Sequence, residues 1–143
     1  SALPGETERV LLDYPIEFAV VVGGTSAISD PVANRLPVDD WDRVYGSTRY
    51  TTPVALAEVF GMPLRPHYAL GVATGTGFAD ALGGGVACGS WGSPLMLTRP
   101  AGMAPEVLSL VSSMRTTVQS VQVYGGPKAL PDTITADLRT LLK

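Results

Sequence analysis

Several short stretches of this sequence join polar side chains to the glycines and strand ends where chemistry is usually done. Gly75-Thr-Gly-Phe-Ala-Asp80 follows an apolar run and opens a helical pattern, the place where a dinucleotide-binding turn sets its glycines. The third glycine of that fingerprint is replaced by Asp80, and a carboxylate there repels pyrophosphate. The glycines are better read as a tight strand-to-helix turn. Asp80 then favours the helix N-terminus by charge and hydrogen bonding, or orients Arg49 or a ligand hydroxyl. Ser47, Thr48 and Arg49 mark a helix start. They read as an N-cap with a structural arginine paired to a carboxylate, or as backbone N–H groups and a guanidinium that hold a phosphate or sugar acid. Thr98 and Arg99 stand just past the carboxyl end of an expected strand, where open α/β sheets bind ligands. Lys128, beside Gly125-Gly126 and before a helix, offers a similar basic position. Singly, each is ordinary solvated surface. As a set they are the candidate contacts.

Most hydrolytic and metal mechanisms fall away on residue counts. The chain has one histidine, His67, and one cysteine, Cys88, so no internal disulfide forms and no zinc cluster is expected. His67 lies between Pro66 and Tyr68 and reads as a turn residue at a strand entrance. Gly89-Ser-Trp-Gly92 does not supply the Gly-x-Ser-x-Gly elbow of a serine nucleophile. Cys88 suits a small core position on a helix rich in alanine and glycine. Trp41, Trp91, Tyr45 and Tyr50 have rings that stack on sugars, although packing in a core or interface is the commoner use. No cofactor is expected.

Charge narrows the partner. The formal net charge of −3 lacks the basic excess of a general nucleic-acid binder. Residues 1–40 hold seven acids and two bases, a net of −5, whereas residues 41–143 hold six acids and eight bases, a net of +2. The larger part meets an anionic ligand without opposing it. No apolar run reaches the length of a membrane span, and no basic-then-apolar leader opens the sequence, as would also hold for a mature or trimmed chain.

These residues sit on an alternation of apolar strands and helices. Phe18-Ala-Val-Val-Val-Gly-Gly24 reads as a buried strand and tight turn, followed by a helix through Leu36, and Val121-Gln-Val-Tyr-Gly-Gly126 repeats that grammar. At a shift of 102 residues Val21, Gly23, Gly24, Ala27, Asp30 and Leu36 recur as Val123, Gly125, Gly126, Ala129, Asp132 and Leu138. That is an internal repeat of domain-sized period. Expected elements are a helix after Pro4, a strand over 43–45, a helix over 48–60 capped by Ser47, and a strand over 67–73. Further on come a helix over 78–90, a strand over 94–97, a helix over 105–114, a strand over 119–124 and a helix over 131–142. The fold class is therefore α/β, a three-layer, doubly wound, mainly parallel sheet with helices on both faces. Gly83-Gly-Gly85 inside a helix costs about 1 kcal/mol per glycine relative to alanine, so close packing against the sheet or a neighbour must offset it. Residues 1–40 read as the C-terminal part of one repeat and 41–143 as a complete one, with 37–42 as the linker.

Four blocks then resemble a known family. Val44-Tyr-Gly-Ser-Thr-Arg-Tyr50 with Thr52-Pro-Val-Ala55, Val72 to Leu82, Gly92-Ser-Pro-Leu-Met-Leu-Thr98 and Val123-Tyr-Gly-Gly126 resemble, in order and spacing, the type-2 cell-wall-binding repeat. The resemblance covers roughly 43–142, and its double-glycine block also matches 18–36. It implies a non-enzymatic module of secreted bacterial wall or surface-layer proteins, present in tandem, often three. Such modules pack with three-fold symmetry and hold an attached domain to an anionic wall polymer. In some members an apolar motif after the proline is linked to polymer binding; here it reads Leu95-Met96-Leu97, against the usual isoleucine and two leucines. Joined to the candidates read from the residues themselves, this motif completes the expected polymer contacts: Ser47, Thr48, Arg49, Asp80, Leu95, Met96, Leu97, Thr98, Arg99 and Lys128. The expected partners are an anionic wall polymer and neighbouring repeats or a trimer-like homo-oligomer, at the cell surface, with no nucleic acid and no membrane span. Two other classes stay open: a structural assembly module that touches no polymer, and a small nucleotide-binding or hydrolytic enzyme domain.

Overall fold

A computed structural model of the chain describes residues 2–62 and 69–143. The elements run α1 (Gly5–Asp13), β1 (Phe18–Val22), α2 (Asp30–Ala33), β2 (Asp40–Val44), α3 (Thr52–Val59), β3 (Leu70–Thr74), α4 (Phe78–Ser90), β4 (Leu95–Thr98), α5 (Pro105–Ser113), β5 (Val121–Tyr124) and α6 (Asp132–Leu141). Every strand pair is parallel. The strands form two sheets, a pair β1-β2 and a trio ordered β4-β3-β5. Each parallel neighbour is reached through a helical crossover, as such pairing requires.

The trio is a three-layer sandwich, and side-chain alternation along its strands decides which layer each residue meets. Leu70, Val72 and Met96 join the apolar cluster with Val54 and Ala57 of α3, Val107, Leu110 and Val111 of α5, and Ile134 and Leu138 of α6. Leu70, Val72, Met96, Val107, Val111 and Ile134 have no exposed surface. Burial of each such side chain contributes roughly 1.5–3 kcal/mol. The opposite face receives α4. A Cβ at Gly71 would collide with Sγ of Cys88 and lie 2.7 Å from Cδ1 of Leu95. A Cβ at Gly84 would lie 2.7 Å from the Tyr124 ring. Those two glycines let α4 sit low on the sheet, which accounts for the middle of the triple glycine. Gly83 and Gly89 face open space instead.

Both glycine turns of the repeat have one backbone. Gly23 and Gly125 each adopt φ 130°, a region open to glycine. After the first, Ala27 and Ile28 donate to the carbonyl of Gly24 at 2.9 and 3.0 Å. After the second, Ala129 and Leu130 donate to the carbonyl of Gly126 at 2.9 and 3.0 Å.

Three expectations need correction. Residues 40–42 are not linker, because Asp40–Val44 is a strand paired along its length with Phe18–Val22. Its alternating acids suit an edge strand with one wet face, so only 37–39 connect. Ser47 caps no helix. Thr48 to Thr51 form a side-chain-bonded turn, and α3 starts at Thr52, where Pro53 fits a first turn that needs no N–H from it. The helix expected through Leu36 stops at Ala33, and a turn follows. Leu70–Thr74 answers the strand expected over 67–73, whose opening, with His67, lies outside the described residues.

Candidate functional site

Because β4, β3 and β5 are parallel, their carboxyl ends share one edge, and the basic candidates gather along it. At the end of β3, Gly75 donates to the carbonyl of Thr98 at 2.9 Å, tying the first and second strand ends together. Thr74 turns its hydroxyl to that of Thr76 at 2.8 Å, which closes the turn into α4. Above this edge the turn before α3 brings in Arg49 and Tyr50. Arg49 donates through Nη1 to the carbonyl of Gly75 at 3.0 Å. Tyr50 lays its ring on Gly75, where any Cβ would collide with it, so glycine is required there by close approach. Arg99 then stacks its guanidinium 4.4 Å from the centre of the Tyr50 ring. That cation–π contact holds Arg99 over the same edge.

At the same edge lies a cavity of about 410 Å³ lined by Arg49, Thr74 to Phe78, Ala81 and Leu97. Arg49 and Arg99 are both exposed, and among the described residues neither pairs with a carboxylate. The cavity presents the Arg49 guanidinium, threonine hydroxyls and an apolar floor, with Arg99 close by on Tyr50. It suits an anion with a sugar-like body, held by charge-assisted hydrogen bonds. Among the described residues that line it, none is a His, Asp or Glu.

The other candidates divide. Asp80 stands in the first turn of α4, apart from Arg49, and its carboxylate would lie 2.9 Å from a Cβ at Gly125, so it adjoins the β5 turn. Lys128 is exposed on that same turn. Ser47 and Thr48 are exposed, with Thr48 committed to turn bonds with Tyr50 and Thr51. Leu95 and Leu97 are half-buried beneath α4. Met96 and Thr98 are fully buried, and the Thr98 hydroxyl donates to the Arg99 carbonyl at 3.2 Å, so both are packing residues out of a ligand's reach. Cys88 is buried against Tyr124, Sγ to Oη 3.8 Å, and burial pushes its thiol pKa up, the reverse of an activated nucleophile. Among the described residues, no group of three or more His, Cys, Asp or Glu is placed to hold a metal ion.

Leu97 and Tyr50 were among the sequence candidates, but the stacking of Arg99 on Tyr50 escaped sequence reasoning, and so did Arg43. Its Nη1 donates to the carbonyl of Gly23 at 2.7 Å, its Nη2 meets Asp30 at 3.1 Å, and its guanidinium lies 5.5 Å from the centre of the Trp41 ring. The recurrence of Gly23 and Asp30 as Gly125 and Asp132 was the available signal.

The family described as cell wall binding domain 2 matches residues 43–135, from β2 into α6 and across the whole arginine-lined edge. The chain belongs to that family. Similarity to individual proteins extends over nearly all of this cell wall binding domain 2 chain. N-acetylmuramoyl-L-alanine amidase LytC of Bacillus subtilis (strain 168) is 24% identical over 139 residues, which are 97% of this chain and 27% of the amidase. Among solved structures, Cwp6 from Clostridium difficile aligns with a TM-score of 0.77 at 19% identity, over 99% of this chain and 22% of that one. Cwp8 from Clostridium difficile gives 0.70 at 20% identity, over 96% and 23%. The chain thus spans about a quarter of the relatives it matches. The structural likenesses establish the α/β fold, and cell wall binding is the function the family carries. No helix among the described residues is long and apolar enough to cross a membrane.

Proposed function

We propose that this domain anchors a secreted bacterial protein to the cell wall without covalent linkage, by binding an anionic wall polymer along the carboxyl edge of β4, β3 and β5. What supports this reading most directly is that Arg49 lines the cavity while Arg99 is held beside it on the Tyr50 ring that covers Gly75, with no carboxylate paired to either arginine among the described residues. Lys128 extends the basic edge across β5, and Thr76 adds a hydroxyl. The proposal assigns the chain no reaction of its own. The amidase it resembles is matched over only 27% of its length, which leaves ample chain for catalysis elsewhere in that protein. Residues 1–40 are taken as the closing part of one repeat and 41–143 as a complete one, in keeping with the shared turn geometry of Gly23 and Gly125.

Binding of purified anionic wall polymer to the chain and to its Arg49→Gln/Arg99→Gln variant tests the site. A hydrogen bond to a charged group contributes about 1.5–3 kcal/mol, so losing both guanidinium groups lowers affinity at least roughly tenfold. Affinity that stays level in the double variant, or across a tenfold change in salt, rules the electrostatic site out.

A second reading, an assembly module that touches no polymer, draws on α4. Phe78, Leu82 and Val86 follow one another at four-residue spacing and are 81%, 67% and 75% exposed. Such a stripe favours a packed neighbour. The same double variant separates the two readings, since solution mass survives it while polymer binding does not.

A further inference from the structure

The two copies of the strand–turn unit differ at one edge. Along β1, Gly23 donates to the carbonyl of Val44 at 2.9 Å, so Ala19, Val21 and Gly23 are the residues whose backbone groups face β2. In β5 the corresponding residues are Val121, Val123 and Gly125. Leu70 donates to the carbonyl of Ser120 at 2.9 Å, which turns Ser120, Gln122 and Tyr124 toward β3. Val121, Val123 and Gly125 therefore point outward, along an edge that carries no strand among the described residues.

The side-chain acceptors are duplicated as well. Over β1, Arg43 clamps the Gly23 carbonyl and the Asp30 carboxylate. Over β5, the Gly125 carbonyl and the exposed Asp132 carboxylate have no hydrogen-bond or ion-pair partner among the described residues. Beside this edge runs a groove of about 510 Å³ with Val121, Val123, Leu138 and Leu142 as its apolar wall and Arg139 and Lys143 as its charges. The strand that fills the equivalent place on β1 brings Asp40 and Asp42 with its arginine, the opposite sign to that rim.

The geometry points to the outer edge of β5 as the docking site for a parallel strand of β2 type, the opening strand of another unit of the same repeat. Its arginine reaches the Gly125 carbonyl and the Asp132 carboxylate as Arg43 reaches Gly23 and Asp30. Its aspartates meet Arg139 and Lys143. Backbone bonds to Val121, Val123 and Gly125 set the parallel register, while the arginine fixes which residue comes opposite Val123. The end of α6 lines the start of the groove with Val118 and Ser120, so a strand that follows α6 enters in the parallel direction. Polymer binding does not enter this inference, because the groove lies apart from the cavity at Arg49.

The test appends a second copy of residues 38–46 to Lys143 through a flexible glycine–serine spacer and follows amide hydrogen exchange in the otherwise intact chain. Tethering supplies the strand at an effective concentration near millimolar. The amides of Val121, Val123 and Gly125 gain protection of roughly tenfold or more over the unextended chain, while Val21 and Gly23 stay as they were. Alanine in place of the arginine of the appended segment, or Asp132→Ala in the protein, removes the gain. Unchanged exchange, protection that survives both substitutions, or a change confined to Val21 and Gly23 overturns the assignment. Concentration-dependent protection of the same three amides in the unextended chain overturns it too, by giving the edge to a second copy.

Discussion

Strand β1 and strand β5 share a turn backbone down to the hydrogen bonds, yet they stand in different company. Tyr124, the last residue of β5, is covered by α4 through Gly84 and Cys88, whereas its counterpart Val22 in β1 is 45% exposed. On the outer edge the order is reversed, since β1 has β2 and the Arg43 clamp there. Local sequence therefore fixes the turn, and neighbours fix everything else. A glycine at φ 130° followed by an alanine-led turn forms in both places whether a layer of helix or a lone strand supports it. The comparison yields sharp expectations.

The largest effect falls on the turn glycines. Alanine at either position is strained, at about 1–3 kcal/mol. At Gly23 the added methyl meets only Ala27 at 3.5 Å, whereas at Gly125 it meets the Asp80 carboxylate at 2.9 Å as well as Ala129 at 3.4 Å. Gly125→Ala is therefore the more destabilising of the two in denaturant melts, and adding Asp80→Ala recovers part of the difference. Equal midpoints for the two single variants would mean that Asp80 is not set as described.

Next comes the clamp. Arg43→Ala removes a part-buried hydrogen bond to a carbonyl and costs roughly 1–2 kcal/mol, after the exposed Asp30 side of the pair is discounted. Asp132→Ala, at the matching place over β5, changes the stability of the isolated chain by less than about 0.5 kcal/mol. If the two variants melt alike, the asymmetry between the edges is unreal.

The smallest effect is a pH dependence present in β5 alone. Burial raises the Cys88 thiol above its ordinary value, and burial with the Cys88 contact raises the Tyr124 phenol. An acid whose folded pKa is raised contributes stability that is complete below the unfolded pKa and is lost as pH climbs through the folded one. Thermal melts from about pH 8 to about pH 10 should show a fall in midpoint that is smaller in Cys88→Ala. Identical slopes would count against a buried thiol.

How far the sequence reveals this molecule depends on what holds each part. Phe78–Ser90 is readable to the residue, because a glycine-bounded apolar stretch with an acid in its first turn is a local signal. The first three residues of strand β2 read as linker because Asp40 and Asp42 look like turn residues, and only pairing with β1 makes them part of the strand. The start of α3 is misplaced because Ser47 resembles a cap, while Pro53 sets the helix start at Thr52 instead of Thr48. Candidate-site residues were legible by type alone. That Arg49 bonds Gly75 and Arg99 stacks on Tyr50 depends on residues 26 or more positions apart meeting over one sheet edge, which no spacing rule encodes.

All-parallel pairing has a kinetic consequence. With no hairpin to zip, each pairing waits for a loop to close: 22 residues from Phe18 to Asp40, 24 from Gly71 to Leu95, and 51 from Leu70 to Val121. Doubling a loop adds only about 0.6 kcal/mol of entropy, so the longest closure is delayed but not prohibited. Refolding should therefore begin on two independent short loops, with β5 joining last.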